Sequence, residues 1–149
     1  MKFWRFCLSV LVFVLVSNAL IVITTTILHE MGHLFVGILY GCRGKIIFLD
    51  TETLATYSQL ICEETNIFIS IGSFIFTIPF ALLFLLLKPP ERNFFKIIFG
   101  LSIFSGSLDI SEAFGLPFLF YIPYIIGFII ICYGECILID NVIKRYKSI

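Results

Sequence analysis

Residues 6–40 read FCLSVLVFVLVSNALIVITTTILHEMGHLFVGILY, with no proline and no charge before Glu30. A bilayer core takes about 20 apolar residues in a helix, and each helical residue rises about 1.5 Å. The run therefore exceeds one crossing. It has room to tilt, to protrude, or to bend near Ser17-Asn18 or Thr24-Thr25-Thr26. Lys2 and Arg5 before it, and Ser17-Asn18-Ala19 within it, imitate a secretory signal and its cleavage site. The apolar run continues unbroken through Ile27 and Leu28, so the segment reads as an uncleaved anchor.

The rest of the chain has the same character. Of 149 residues, 60% are hydrophobic and only 13% are charged, with a mean hydropathy of +1.09. A soluble domain carries about a quarter charged residues, so lipid is the expected solvent. A formal net charge of zero argues against nucleic acid as a partner. The expected architecture is an all-α, multi-pass integral membrane protein forming one domain over residues 1–149. Its spans fall at about 6–40, 66–87, 94–115 and 119–139. Lys88-Pro89-Pro90-Glu91-Arg92 breaks the second from the third, and Gly115 and Pro117 end the third. Pro79 predicts a kink in the second span, and Asn66, Ser70, Ser73 and Thr77 place a polar stripe along it. The stripe suits either a water path or interhelical hydrogen bonding. Residues 141–149 read as a short basic tail.

Residues 42–65 are the most polar interior stretch. Lys45–Leu49 and Thr53–Tyr57 have strand propensity around Asp50-Thr51-Glu52. This predicts either a short β-hairpin between the first two spans or a plain loop. A hairpin edge there could hold an extended peptide by strand addition. Cys42 and Cys62 flank this stretch and can pair if it faces an oxidising side. Cys132 and Cys136 stand at i,i+4 with no histidine nearby, a weak metal pair.

The chemistry lies at the end of the first span, in His29-Glu30-Met31-Gly32-His33. These are the only two histidines in the chain. At i and i+4 on a helix, both imidazoles share a face and can reach one metal ion. Glu30 is placed beside them to take a proton from a metal-bound water. His29, His33, Gly37 and Gly41 lie on one face, where the glycines would let a neighbouring helix approach. A catalytic zinc usually has three protein ligands and one open position, so a carboxylate must complete the set. Asp50 falls in the polar loop and Asp140 at a membrane edge. Asp109 and Glu112 lie within the third span, where an acid is costly and marks function by default. The first and third of four spans run in the same direction, which puts Asp109 at the level of the histidines. Glu112, a turn further on, is the second choice or a group supporting a ligand. Asp109 could otherwise be a helix-end cap near Gly106.

His29-Glu30-Met31-Gly32-His33 in one span and Leu108-Asp109 two spans later resemble the site-2 protease family of intramembrane zinc metalloproteases. The resemblance covers residues 20 to 115. It implies that His29, His33 and Asp109 bind Zn2+, that Glu30 is the catalytic acid/base, and that the substrate is a transmembrane segment of another protein. It also implies a β-hairpin between the motif helices. The chain departs from the family where Ile110 follows Asp109 in place of a common glycine. Ser105-Gly106-Ser107 replaces an Asn/Pro-rich lead-in, and Ile71-Gly72-Ser73 only echoes a glycine-proline turn. No regulatory domain accompanies the core, as in a minimal member. The alternative is an inactive relative that binds helices or metal.

The basic residues suggest an orientation. In a four-span chain Lys2, Arg5, Lys88, Arg92, Lys96, Lys144, Arg145 and Lys147 share one side, and Arg43 and Lys45 lie opposite. The positive-inside rule puts the first group in the cytoplasm and the metal toward the outer side. The family resemblance implies a site nearer the cytoplasm, and a break in the first segment would reverse the count.

Overall fold

The computed structural model describes residues 2–48, 56–62 and 67–147. Helix α1 (Lys2–Leu39) is continuous over 38 residues, about 57 Å at the standard rise. The helix is not interrupted at Ser17-Asn18 or at Thr24–Thr26. In lipid every backbone group must find its partner within the segment, and nothing in α1 removes an amide. The helix stops at Gly41, whose φ of 78° is left-handed. There the Gly41 amide bonds the Ile38 carbonyl and the Cys42 amide bonds the Gly37 carbonyl. These paired bonds satisfy the last carbonyls and turn the chain out of the helix.

The turn leads into β1 (Arg43–Ile47), which pairs antiparallel with β2 (Tyr57–Ile61) from Arg43↔Ile61 to Ile47↔Tyr57. The hairpin is present, but its second strand lies later than the expected Thr53–Tyr57. The register is closed at its base by a Cys42–Cys62 disulfide just outside the Arg43–Ile61 pair. Leu60 packs beside Gly37 and Gly44, which leave space for its branched end. Leu49 to Ala55, which include Asp50-Thr51-Glu52 and most of the expected second strand, lie outside the described residues.

The second span covers Ile67–Leu86. It comprises α2 (Ile67–Ser70), a 3-10 turn at Ile71–Ser73, and α3 (Phe74–Leu83), which contains Pro79. The third is α4 (Phe94–Phe114), closed at Gly115, φ 64°, by the same pair of bonds that ends α1. The fourth is α5 (Tyr121–Lys147), entered through a 3-10 turn at Pro117–Phe120. Residues 141–147 are therefore the last turns of α5 and not a separate basic tail. Lys144 pairs with Asp140 one turn back, and Arg145 reaches Glu91 at 2.9 Å, tying α5 to the loop before α4.

Four segments are thus long and apolar enough to cross a membrane. Their common core is Ile21, Ala81, Phe94, Ile97, Ile98, Leu138 and Val142. A smaller cluster of Val36, Cys42 and Ile69, with Leu60 and Cys62, seats the hairpin on α1 and α2. Many large apolar side chains point outward, among them Leu11, Leu15 and Leu20 of α1 and Ile122, Ile125 and Ile129 of α5. An apolar exterior of this extent suits a lipid solvent.

Candidate metal centre

The α1 backbone stacks His29 over His33, and their Nε2 atoms lie 3.3 Å apart. Asp109 of α4 brings Oδ2 to 3.4 Å from His29 Nε2 and 3.3 Å from His33 Nε2. The three atoms form a nearly equilateral triangle. Two ligand atoms each about 2.0–2.1 Å from a tetrahedral centre are separated by about 3.3–3.4 Å. All three edges match one shared metal ion. Among the described residues this is the group that could hold one.

Neighbouring polar groups orient each ligand. The His33 Nδ1–H donates to the Ile69 carbonyl at 2.7 Å. A carbonyl can only accept, so the proton sits on Nδ1 and the Nε2 lone pair faces the triangle. His29 Nδ1 lies 3.3 Å from Ser105 Oγ, and that hydroxyl donates onward to the Ser102 carbonyl. In the tautomer that turns the His29 Nε2 lone pair to the triangle, His29 Nδ1–H donates to the Ser105 oxygen while the hydroxyl donates to the Ser102 carbonyl. Ser73 Oγ donates to Asp109 Oδ2 at 2.8 Å. Such outer contacts typically fix tautomer and ring angle at a metal site.

Three segments must meet closely for this to form. Gly32 sits where a Cβ would come within 2.4 Å of the Gly72 carbonyl oxygen and 2.7 Å of Ser73 Cα. Here α1 touches the 3-10 turn backbone to backbone, bringing the Ile69 carbonyl and the Ser73 hydroxyl against the ligands. Gly37 and Gly41 do not play the part expected of them. Gly37 makes room for Leu60 of the hairpin, and Gly41 lies beyond α1 in the turn.

Glu30 lies beside the triangle. With His29 and Ser105 it lines a cavity of about 260 Å3 that continues along Val22, Thr25, Leu101 and Phe104. Its Oε2 accepts the Ser58 amide of β2 at 2.6 Å.

The other acids lie elsewhere. Glu112 is exposed, and its carbonyl closes the end of α4. Asp140 pairs with Lys144, and Asp50 lies outside the described residues. Asp109 does not cap a helix end, because its partners come from α1 and the second span. Of the polar stripe, Ser73 makes an interhelical bond, Thr77 bonds the Ser73 carbonyl within its own span, and Asn66 is outside the described residues. Sequence reasoning missed Ser105, the Ile69 carbonyl, Gly32 and the Ser58 amide. Ser105 had a visible signal, since it precedes Asp109 by four residues and so shares its helix face.

The chain matches no family model, no curated protein and no solved structure.

Proposed function

We propose that this protein is an intramembrane zinc metalloprotease of the site-2 protease kind, cleaving peptide bonds in or near transmembrane segments of other proteins. The observation that carries the reading is the His29–His33–Asp109 triangle beside Glu30, within apolar helices. Two imidazoles and one carboxylate are a zinc donor set, whereas calcium and magnesium favour oxygen throughout. Zinc held there would act as a Lewis acid toward a carbonyl and lower the pKa of water toward 7. His33, His29 and Asp109 are pre-oriented for that role by Ile69, Ser105 and Ser73. Glu30 takes a proton from the attacking water and returns it to the leaving amine. His29 and His33 are themselves buried, which limits the water that reaches them.

The test is cleavage of a synthetic single-span peptide by the purified chain in lipid discs, with zinc measured in parallel. Glu30→Gln is expected to lower turnover by about 10²–10⁴-fold while keeping zinc. Zinc bound by wild type without cleavage would favour the alternative of a metal-binding or helix-binding relative. Absence of zinc from wild type would remove the metal reading itself.

The same proposal includes an orientation. Because α1 is unbroken, both termini share a side, and the basic residues put that side in the cytoplasm. The Cys42–Cys62 disulfide independently suits an oxidising compartment for the hairpin. The site then opens toward the outer side, opposite to the usual family arrangement. Reporter fusions at residues 50 and 90 should report outer and cytoplasmic locations respectively; the reverse pattern would overturn this orientation.

A further inference from the structure

We propose that Ser58 and Glu30 form an exchangeable latch. An extended peptide of the substrate pairs with the outer edge of β2, its carbonyl takes the Ser58 amide, and the Glu30 carboxylate is released to act on water. The proposal rests on the protease reading, with an extended peptide at the hairpin edge, and adds what the arrival of that peptide changes.

The strand register carries the argument. In an antiparallel pair, alternate residues turn their amides toward the partner strand and the others turn outward. Ser58 sits opposite Ile46, and its amide goes to Glu30, so it belongs to the outward set. Leu60, two residues on, shares that outer edge. The outer edge of β2 therefore runs beside Glu30, the neighbour of His29. An exposed strand edge is a template for an added strand.

In the present structure a carboxylate oxygen occupies the acceptor position that a peptide carbonyl would take. A charged acceptor on a backbone amide makes a strong hydrogen bond, and this one holds the carboxylate toward the hairpin. A substrate that remained helical would have its carbonyls engaged and could not replace it. A locally unwound segment could. The latch thus favours extended peptide over intact helix, and frees Glu30 only when such a peptide is present. The strand itself is held in place. Leu60 is seated beside Gly37 and Gly44, and the disulfide closes the base of the hairpin. The cavity along Thr25, Leu101 and Phe104 adjoins Glu30 and can take a side chain of the paired peptide.

The test uses the full chain in lipid discs and a synthetic Leu/Ala single-span peptide with a central Asn-Gly break. Amide exchange at Ser58 should be slow in wild type and at least about tenfold faster in Glu30→Ala, which removes the acceptor. Adding the peptide to Glu30→Ala should make Ser58 slow again, with no cleavage involved. In turnover, Ser58→Pro removes the amide without breaking the ladder, since proline is tolerated at outward edge positions. It should raise KM at least about tenfold, and Ser58→Ala, which keeps the amide, should reverse that rise. The latch is overturned if the peptide leaves Ser58 exchanging fast in Glu30→Ala, or if the proline and alanine variants share one KM. If Ser58→Pro does not fold, the exchange measurement decides alone. Protection by peptide without cleavage by wild type above a Glu30→Gln background supports docking at β2 and sinks the protease reading. Cleavage without protection does the opposite.

Discussion

The two halves of α1 are one continuous helix, yet they meet different surroundings. In the first half, Leu8, Leu11, Leu15 and Leu20 face outward. In the second, Ile21, Thr25, His29, His33 and Val36 form a buried stripe. Leu15 is 59% exposed and His29 is 8% exposed. A helix in water would show the reverse preference. Lipid is as apolar as leucine, so burying a leucine in a bundle gains little, and association depends on close packing and hydrogen bonds. In the second half of α1 the inward face mixes Ile21 and Val36 with Thr25, His29, Gly32 and His33, so hydropathy alone does not distinguish it from the outward one.

That contrast can be broken most severely at the polar end. Asp109→Ala removes the only carboxylate of the triangle and should reduce bound zinc from about one per chain to a small fraction, read by elemental analysis beside wild type. Zinc retained at the wild-type level would take Asp109 out of the site and dissolve the depth argument that joined α4 to α1.

A smaller effect is expected from Gly32→Ala. The new methyl group meets the Gly72 carbonyl and the Ser73 backbone, neither of which is a flexible side-chain end. Overpacking of this kind costs about 1–3 kcal/mol. The thermal midpoint should fall and zinc affinity with it, because the displaced turn carries Ser73 and continues directly from α2, which carries the Ile69 carbonyl. A variant matching wild type in both would mean that the contact with the turn is looser than its geometry indicates.

The smallest effect belongs to the lipid-facing half. Leu15→Ala should change stability by less than about 0.5 kcal/mol, measured by thermal unfolding in the same lipid. A loss comparable to that of Gly32→Ala would sharpen the comparison differently, by implying that another chain covers this face.

Much of the fold was legible in the sequence because lipid imposes strong rules. Apolar length, the Lys88–Arg92 break and the Gly115-Pro117 stop located the spans, since each acts locally. The end of α5 was misread because Lys144 and Arg145 look like a solvated tail, whereas both lie on the helix and pair with Asp140 and Glu91. The second strand was placed too early because propensity at Thr53–Tyr57 is a local signal. The actual pairing is fixed by the Cys42–Cys62 closure and the seat of Leu60, which are not local.

Within the candidate site, His29, Glu30 and His33 could be read from spacing and Asp109 from depth. The groups that orient them could not. The Ile69 carbonyl has no sequence signature, and Gly32 reads as a filler within the motif until Gly72 is brought against it. Ser58 is unremarkable in sequence, because its relevant group is the backbone amide and not its side chain.

The covalent link between Cys42 and Cys62 has one more consequence. Both strands of the hairpin lie between the two half-cystines. A chain severed anywhere between β1 and β2 would remain a single molecule, with the first span still joined to the other three. Separation into two fragments would require reduction as well as the cut. A stretch of this protein that meets foreign proteases could therefore be nicked without releasing the histidine helix from its aspartate.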